Sequence, residues 1–338
     1  MQFKQIFSVV DSHTEGQTTR VIISGYPTIP GTTMAEKKYY ALKHLDHLRN
    51  AIVNEPRGLI SSMGVILTPP VSEEAHFGVI WIEQGGNPEA RYLDMCGHGT
   101  IGIATTLVEM GLVEAKEPFT EVVLDMPAGL VRARAEVKNG KVQNVTFQNV
   151  PCFFYENRII SVPGLGKIPV DIAFGGNNYG IVNASDLRIG TTPAEIKANT
   201  VLVAKVIDSI NEQTDIEHPE MPHIRGVLAL LINDEPTHSE ATCKNIYIDD
   251  CGGLDRSPCG TGTSARMAAR FANGEQKIGD LFVSESVICS MFRGRLIKET
   301  MVGSYKAAIP EITGRAYIIG LNQLVIDNDD PFGNGFVC

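Results

Sequence analysis

Short apolar runs dominate the pattern of hydrophobic and polar positions in the first half of the chain. The runs are rich in β-branched or aromatic residues and are bounded by glycine, proline or polar residues, which is typical of β-strands. Asn139-Gly140 lies between two such runs and predicts a two-residue hairpin turn. The predicted strands are FSVVDS, TTRVIIS, MGVILTPP, FGVIWIE, TEVVLDM, LVRARAEV and KVQNVTFQNV.

Two segments of the first half carry apolar residues at helical spacing instead. Residues 36–53 predict one helix that ends before NEPRG (54–58), and residues 99–111 predict a second helix that ends at Gly111. Within NEPRG, Glu55 and Arg57 are expected to form an internal ion pair.

The chain also contains a long-range repeat. The pentapeptide CGHGT (96–100) returns as CGTGT (259–263), and in both places a helical run follows that a glycine closes. Upstream, residues 10–22 align with residues 170–182 at an offset of 160 positions, close to the 163 positions that separate the two cysteines. Two markers at nearly one offset predict two structurally similar domains, each with a CGxGT loop that opens a helix.

A glycine-rich loop at the start of a helix favours bound anions. The first turn leaves backbone N–H groups unpaired, the helix macrodipole adds partial positive charge, and glycine lets the backbone approach a ligand closely. The same field lowers the pKa of a cysteine placed there, which predicts partial thiolate character for Cys96 and Cys259 near neutral pH.

Other interpretations compete for these loops. Residues 97–102 and 260–265 both match the spacing of a dinucleotide-binding fingerprint, but loop-like sequence precedes each where a buried parallel strand is required. A single cysteine nucleophile gives no reason for a matching second cysteine. Packing of small buried thiols leaves the repeated glycines unexplained. A disulfide between Cys96 and Cys259 would be an oxidised form rather than the working state.

Composition narrows the classes of function. A chain of 338 residues predicts two domains, and 43% hydrophobic with 20% charged residues is ordinary for a globular protein. The formal net charge of -10 disfavours nucleic acid and anionic membranes as partners. No apolar run is long enough for a membrane span, and no targeting signal is expected at the N-terminus.

The cysteines form neither a disulfide framework nor a metal site. Seven cysteines at irregular spacing do not suggest paired disulfides, and no Cys/His cluster has the spacing of zinc ligands. We therefore expect no metal and a reducing, cytoplasmic location. The cysteines outside the two glycine loops are interpreted as packing or incidental thiols: Cys152, Cys243, Cys251, Cys289 and Cys338.

Two matching thiols suit a reaction that inverts a carbon centre. A racemase removes a proton from one face of a carbon and delivers a proton to the other face. Two groups of similar pKa, one ionised and one protonated, do this by exchanging roles in each turnover. The two helix starts would hold a substrate carboxylate and stabilise the charge that develops as the α-proton leaves. Nothing in the sequence marks a pyridoxal or nicotinamide site, so no cofactor is expected.

The residues around the loops resemble those of a known family. MCGHGTIG (95–102) and DRSPCGTGTSA (255–265) are similar to the two signature motifs of the proline racemase family. That family is cofactor-independent and includes proline racemases, 4-hydroxyproline 2-epimerases and trans-3-hydroxyproline dehydratases. The resemblance covers the whole chain, with further matches at DSHTEGQTTRV (11–21), NEPRG (54–58), DMPAGL (125–130), FGGNNYGIV (174–182), DEPTH (234–238) and the ending VIDNDDPFGNGF.

The resemblance implies the α/β (α+β) fold of proline racemase and diaminopimelate epimerase. In that fold, two similar domains each wrap a mixed, barrel-like sheet around a central helix, and the active site lies in the interdomain cleft. The expected domains are 1–148, to which 312–338 returns, and 149–311. The expected partner is a small-molecule amino-acid substrate, and a homodimer is left open.

The resemblance also implies roles for individual residues. Cys96 and Cys259 would be the acid/base pair. Family dehydratases typically carry Ser or Thr in place of one cysteine, so the intact pair indicates a racemase or epimerase, with a dehydratase as the alternative. The implied carboxylate contacts are the backbone N–H groups around Gly97, His98, Gly260 and Thr261, and the implied amine contacts are His98 and Asp255.

Substrate choice in the family depends on a few pocket positions, which align near Met63, Ala229 and Asp249. Proline racemases tend to have apolar or aromatic residues at these positions, whereas hydroxyproline epimerases have Ser or His. Asp249 is interpreted either as a solvated loop acid or as a pocket group that bonds a substrate hydroxyl or a cation. NPEAR (87–91) is interpreted as a short insertion that either reshapes the mouth of the site or elaborates the surface.

Two functions from other classes stay open. One is a nicotinamide-dependent oxidoreductase that uses the two glycine loops, which a cofactor-dependent absorbance change would support. The other is a non-catalytic amino-acid binder on the same fold, against which the intact thiol pair argues.

Overall fold

The computed structural model describes residues 3–58 and 61–337, and the chain divides into two compact units. The first unit comprises Met1–Phe147 and Arg315–Cys338, and the second comprises Gln148–Gly314. The C-terminal segment of the first unit thus begins at Arg315, where the sequence placed it at residue 312.

The strands and helices of the first unit follow the pattern of apolar runs. Every strand that the sequence predicts for the first half is confirmed, and Asn139 and Gly140 both have the positive φ that a two-residue turn between strands requires. In chain order the elements are β1 (Phe3–Thr14), β2 (Gln17–Ser24), α1 (Met34–His44), α2 (Asp46–Val53), β3 (Met63–Thr68), β4 (Phe77–Glu83), β5 (Tyr92–Leu93), α3 (Gly97–Glu109), β6 (Phe119–Met126), β7 (Gly129–Lys138) and β8 (Lys141–Gln148).

The second unit has a similar order of elements, with an additional first strand and three helices in place of α1 and α2, and the chain then returns to the first unit with one long strand. The elements of the second unit are β9 (Cys152–Val162), β10 (Gly166–Phe174), β11 (Asn178–Asn183), α4 (Ala184–Leu187), α5 (Pro193–Ala198), α6 (Thr200–Gln213), β12 (Ala229–Asp234), β13 (Cys243–Asp249), α7 (Gly260–Ala272), β14 (Phe282–Glu285), β15 (Met291–Val302) and β16 (Tyr305–Gly314). The returning strand is β17 (Ala316–Asp327).

The sheet of the second unit closes into an eight-stranded barrel. Its strands pair in sequence from β9 to β16, and β16 returns to β9 through the pairs Ala307–Phe153 and Ala308–Cys152. The β11–β12 and β13–β14 pairs are parallel and the others are antiparallel, so the barrel is mixed. Helix α7 packs against strands on several sides of this barrel and is its central helix.

The first unit uses the same pairing scheme around α3. Its strands pair in the order β17–β1–β2–β3–β4–β6–β7, and β2–β3 and β4–β6 are parallel. These are the third-to-fourth and fifth-to-sixth strands of the series, as β11–β12 and β13–β14 are in the series from β9 to β16. The short strand β5 adds to β4. Strand β17 pairs with β1 as β9 pairs with β10. The repeat in the sequence therefore corresponds to a repeat in the strand pairing of the two units.

The central helix α3 of the first unit is buried along almost its whole length. Every residue of α3 from Gly97 to Val108 is buried, which is the pattern of a helix that is apolar on all sides. The helix also approaches the sheet closely. A Cβ added at Gly102 would lie 3.1 Å from the Thr19 side-chain oxygen, so glycine permits that approach.

The prediction of one continuous helix over residues 36–53 is wrong. The helix breaks at Leu45, whose backbone leaves the helical range, and α2 begins anew at Asp46. The break puts the Asp46 carboxylate into the first turn of α2, where the helix dipole favours negative charge, and there it pairs with Arg49. Helical periodicity in the sequence does not reveal such a restart.

The prediction of an ion pair between Glu55 and Arg57 is also wrong. The Arg57 guanidinium pairs instead with Asp330 at 2.7 Å and donates to the carbonyl of Val325 at 2.8 Å. Glu55 forms an isolated β-bridge with Phe336. NEPRG therefore fastens the C-terminal segment rather than forming a closed local pair.

Arg49 ties α2 to the segment that leads towards the first glycine loop. Its guanidinium is fully buried, pairs with Asp46 at 2.6 Å and donates to the backbone carbonyls of Glu83 and Gly85 at 2.8 and 2.9 Å. Replacement of Arg49 by Met would therefore leave the Asp46 carboxylate and the Glu83 and Gly85 carbonyls without this partner.

We predict that Arg49→Met lowers the free energy of unfolding by about 3 kcal/mol, the usual cost of removing one partner of a buried pair. Urea denaturation measures this loss. Lys43→Met is the matched control, because Lys43 pairs with Glu89 on the exposed surface and its loss should leave stability nearly unchanged. Equal effects of the two substitutions would contradict the role given to Arg49.

Candidate active site

The two CGxGT loops fold as helix starts that are capped by a cysteine side chain. Cys96 is the N-cap of α3, and its Sγ accepts the Gly99 N–H at 3.4 Å. Cys259 is the N-cap of α7, and its Sγ accepts the Gly262 N–H at 3.3 Å. Each sulfur thus satisfies one of the N–H groups that a helix start leaves unpaired, a role that Ser, Thr or Asp usually fills.

The glycine three residues after each cysteine leaves room for this contact. A Cβ at Gly99 would collide with the ring of Trp81, which is fully buried behind the loop. A Cβ at Gly262 would lie 2.9 Å from Cys259 Sγ and 2.5 Å from Leu231. Any side chain there would therefore displace the sulfur from the helix start.

Both thiols are shielded from water, since Cys96 is 4% and Cys259 is 5% exposed. Burial, and next the negative charge of Asp255, raise the pKa of the Cys259 thiol to about 12. The donors around the sulfur lower the pKa by less than these two effects raise it. The prediction of a lowered pKa is therefore wrong for Cys259, because burial outweighs the helix start.

The backbone differs between the two loops. Cys96 is extended with φ of -137°, whereas Cys259 has φ of +58°, a conformation that costs a residue with a side chain roughly 1–3 kcal/mol. Neighbouring side chains hold the second loop in place. The Cys259 N–H donates to Ser257 Oγ at 3.3 Å, and Asn245 Nδ2 donates to the Pro258 carbonyl at 3.0 Å.

Each thiol has a different polar neighbour two residues further along the chain. Cys96 Sγ lies 3.4 Å from Nδ1 of His98. Cys259 Sγ lies 3.6 Å from Oγ1 of Thr261 and 4.0 Å from the hydroxyl of Tyr179. Both sulfurs therefore make the same contact with a helix N–H, but different side chains lie beside them.

Two further predicted contacts lie beside these loops. The His98 carbonyl accepts the Thr14 hydroxyl at 2.9 Å, which fixes the start of α3 to β1. Asp255 is buried in the segment before α7, and its Oδ1 accepts the Ser257 N–H at 2.7 Å. The charge of Asp255 acts directly on Cys259, so a cation bound at Asp255 would favour the thiolate.

The residues predicted for the specificity pocket occupy equivalent strand positions. Met63 begins β3 and pairs with Glu83 of β4, and Ala229 begins β12 and pairs with Asp249 of β13. Both Met63 and Ala229 are buried. Glu83 is thus the counterpart of Asp249, a relation that the sequence alignment did not include.

The interpretation of Asp249 as a solvated loop acid is wrong. Asp249 ends β13 and is only 4% exposed. Its Oδ1 accepts the N–H groups of Cys251 and Gly253 at 2.9 and 2.7 Å, so the carboxylate organises the loop that follows. Its part in substrate binding stays a prediction.

The insertion NPEAR combines an exposed turn with a buried anchor. Pro88–Ala90 form one 3-10 turn, and Glu89 pairs with Lys43 on the surface. Arg91 is 1% exposed, and its guanidinium lies 3.6 Å from the Glu83 carboxylate. The insertion therefore does more than elaborate the surface, because its last residue contacts the end of β4.

The structure groups the predicted residues within each unit around the local cysteine. Gly97 and His98 accompany Cys96, and Asp255, Gly260 and Thr261 accompany Cys259, whereas Met63, Ala229 and Asp249 lie at strand ends. Tyr179 is the neighbour that sequence reasoning missed. The alignment of residues 10–22 with 170–182 places Tyr179 opposite Thr19. The change from a small to a large polar residue between the two repeats was the signal that could have identified Tyr179.

The described part of the chain offers no cluster of three or more His, Cys, Asp or Glu side chains arranged to hold a metal ion. Its helices, as far as the structure describes them, include none with the length and apolarity to cross a membrane. Six cysteines within residues 3–337 are free thiols, and Cys338, expected as an incidental thiol, lies outside the described residues.

The chain is similar over its full length to proteins of known activity. The model of the proline racemase family matches residues 9–337. The proline racemase of Clostridioides difficile is 45% identical, with 100% of this chain and 99% of the relative covered. The 4-hydroxyproline 2-epimerase of Streptosporangium roseum is 43% identical, with 100% of both covered. The crystal structure of a hydroxyproline epimerase from Agrobacterium vitis with bound trans-4-OH-L-proline matches with a TM-score of 0.92 and 33% identity, covering 100% of this chain and 97% of that one.

We predict that Asp255→Asn increases the reactivity of Cys259 in the unliganded protein. Loss of the carboxylate charge lowers the pKa of the thiol, so the thiolate fraction at pH 8 rises, and alkylation of Cys259 by iodoacetamide should become roughly threefold to tenfold faster. Peptide mass spectrometry measures the rate at this cysteine.

Asp280→Asn is the control for this prediction, because Asp280 caps an exposed turn through the Lys277 N–H. The control should leave the Cys259 rate unchanged. An unchanged rate in Asp255→Asn as well would show that the two groups do not interact.

Proposed function

The chain belongs to the proline racemase family, and we propose that it inverts Cα of proline or 4-hydroxyproline without a cofactor. One observation carries this proposal. Two cysteines, one in each of two similar units, cap a buried central helix through the same sulfur-to-N–H contact. A reaction that treats the two faces of one carbon alike needs two such groups of the same kind.

In the proposed reaction, Cys96 and Cys259 act on opposite faces of the same substrate carbon. The thiolate of one cysteine takes the α-proton, so that the C–H bond breaks, an S–H bond forms and the electron pair stays on the substrate. The thiol of the other cysteine then gives its proton to the opposite face, and it becomes the thiolate. No electron is gained or lost, and the two sulfurs have exchanged roles when the product leaves.

The helix starts supply the stabilisation that this proton transfer needs. Backbone N–H groups at Gly97, His98, Gly260 and Thr261 would hold the substrate carboxylate and the charge that spreads onto it. Donors that are fixed in place before the reaction stabilise such charge without reorganisation. The burial of both loops supports this assignment, because water would weaken each of these contacts.

The substrate ammonium would be held by His98 and Asp255. The effect of Asp255 on Cys259 gives this contact a second consequence. A bound ammonium offsets the carboxylate charge that raises the pKa of the thiol, so substrate binding itself would favour the Cys259 thiolate. The high pKa of Cys259 in the free protein is therefore compatible with a role as base.

Met63, Ala229 and Asp249 are proposed to border the substrate ring. Apolar Met63 and Ala229 favour the unsubstituted ring of proline. Asp249 favours a substrate that carries a hydroxyl, although its Oδ1 already accepts two backbone N–H groups. Both substrates are therefore retained in the proposal.

A trans-3-hydroxyproline dehydratase is the second candidate within the family. That reaction removes water after the α-proton and does not need a second thiol to return a proton. The presence of both cysteines in matched positions favours the racemase or epimerase. A nicotinamide-dependent oxidoreductase and a non-catalytic binder have no comparable observation in their favour.

The proposal also covers the domains, the cellular compartment and the oligomeric state of the protein. We propose that the two compact units, Met1–Phe147 with Arg315–Cys338 and Gln148–Gly314, are the two racemase domains that the sequence placed at 1–148 with 312–338 and at 149–311. We also propose that both thiols serve one substrate molecule. Free thiols on both units fit a reducing, cytoplasmic compartment. A homodimer is compatible with the proposal and is not required by it.

We predict that the purified protein racemises L-proline or epimerises trans-4-hydroxy-L-proline in a polarimetric assay with no added cofactor. Cys96→Ala and Cys259→Ala should each lower kcat/KM by roughly a thousandfold, because each removes one acid/base group. Cys289→Ala is the control, since Cys289 is an exposed thiol in a turn, and it should retain full activity.

A panel that includes acyclic amino acids and trans-3-hydroxy-L-proline decides between the family activities. Inversion of one cyclic substrate without loss of water supports the proposal. Loss of water from trans-3-hydroxy-L-proline alone, or full inversion activity in both cysteine variants, would overturn it.

A further inference from the structure

Tyr179 lies beside Cys259 and has no part in the roles assigned above. Its side chain is buried, and its hydroxyl oxygen lies 2.6 Å from Thr261 Oγ1 and 4.0 Å from Cys259 Sγ. The amide of Asn177 donates to the same hydroxyl oxygen at 3.4 Å. Because Asn177 is a donor there, the Tyr179 O–H proton is left to point at Thr261 or at the sulfur.

The first unit shows that the fold does not require a phenol at this position. Thr19 of β2 and Tyr179 of β11 occupy equivalent places, since each pairs with the first residue of the following parallel strand. The Thr19 hydroxyl is buried and has no hydrogen-bond partner among the residues that the structure describes. Cys96 has His98 beside it instead, at 3.4 Å. Each thiol thus has one polar ring beside it: His98 from α3 lies beside Cys96, and Tyr179 from β11 lies beside Cys259.

We propose that Tyr179 is a positioning residue whose hydroxyl, held by Thr261, donates a hydrogen bond to the Cys259 thiolate while Cys259 acts as the base. The inference rests on the proposed function for its place in the cycle. It adds to that function a residue that favours one of the two otherwise matched thiols.

The direction of the hydrogen bond between the Tyr179 hydroxyl and Cys259 depends on whether the sulfur is a thiol or a thiolate. In the thiol state, the Cys259 S–H points at the Tyr179 oxygen, and the Tyr179 O–H donates to Thr261. After the sulfur has given its proton to the substrate carbon, the Tyr179 O–H turns to the thiolate and the Thr261 O–H donates to Tyr179. Hydroxyl protons rotate in this way without breaking a covalent bond.

The phenol stays protonated throughout this exchange. Burial, and next the charge of Cys259, raise the pKa of Tyr179 well above its ordinary value. Tyr179 therefore keeps its proton and remains a donor at pH 8, where the alkylation rates below are measured. A proton does not leave the phenol, which distinguishes this role from that of an acid or a base.

The groups that face Cys259 explain why a donor matters there. Burial and the charge of Asp255, from the segment before α7, disfavour the thiolate. Three donors oppose them: the Thr261 hydroxyl and the Gly262 N–H from α7, and Tyr179 from β11. Hydrogen bonds to a charged group are among the stronger ones in proteins, so the loss of one donor should be measurable.

We predict that Tyr179→Phe slows alkylation of Cys259 by iodoacetamide at pH 8 roughly threefold to tenfold, which is the effect of about one pKa unit on a thiol of this kind. The rate at Cys96 in the same molecules should not change. Peptide mass spectrometry reads both rates from one sample, so Cys96 reports any general loosening of the protein.

Tyr155→Phe is the matched control. It removes a hydroxyl from another tyrosine of the same barrel, one that donates to Asn178 at 2.9 Å. It should leave both cysteine rates unchanged. An unchanged Cys259 rate in Tyr179→Phe, or equal slowing at both cysteines, would overturn the proposal.

A second pair of variants covers the case in which Tyr179→Phe does not fold. Thr261→Val removes the hydroxyl that holds Tyr179 and that also lies 3.6 Å from the sulfur, so it should slow Cys259 alkylation at least as much as Tyr179→Phe. Thr261→Ser keeps that hydroxyl and should restore most of the rate. Equal rates in these two variants would count against the proposal. Because alkylation needs no turnover, failure of the hydroxyl role is distinguishable from failure of the racemase function, which the polarimetric assay tests.

Discussion

The contact between a buried cysteine sulfur and the first free N–H groups of a buried helix is the interaction on which both units depend. The contact requires glycine three residues after the cysteine, because a side chain there would collide with Trp81 in the first unit and with Leu231 and the Cys259 sulfur in the second. It also requires that the helix start be shielded, because water would otherwise satisfy the N–H groups. A sheet that surrounds the helix provides this shielding, and the closed barrel of the second unit is its most complete form.

Shielding from water also disfavours the thiolate, and different groups surround the sulfur in the two loops. Burial disfavours a charged sulfur, and around Cys259 the neighbouring carboxylate of Asp255 adds to that effect. The second loop has a strained backbone at Cys259 and two hydroxyl groups within 4.0 Å of the sulfur. The first loop has an extended cysteine and an imidazole at 3.4 Å. A duplicated fold has thus kept the helix geometry and changed the side chains that act on the thiol.

The sequence predicts those features that local pattern encodes. Strands, the Asn139-Gly140 turn and the two helices that the CGxGT loops open all follow from periodicity and from the conformational demands of particular residues, whereas the cap by the cysteine sulfur was not predicted. Features that depend on distant parts of the chain could not be predicted in this way. Arg57 finds its partner at Asp330, and the pKa of Cys259 depends on a balance between burial and hydrogen bonds that only the folded barrel defines. The helix start alone gave the wrong direction for that pKa.

The central claim is that two thiols serve opposite faces of one carbon, and the position of solvent deuterium tests it most directly. The L enantiomer of the preferred substrate is incubated with the protein in D₂O, and both enantiomers are recovered before equilibrium. The account predicts deuterium at Cα of the newly formed enantiomer, because its proton comes from the second thiol, while the remaining L enantiomer keeps its original hydrogen. Deuterium in both enantiomers at equal early rates would indicate a single base that acts on both faces and would contradict the account.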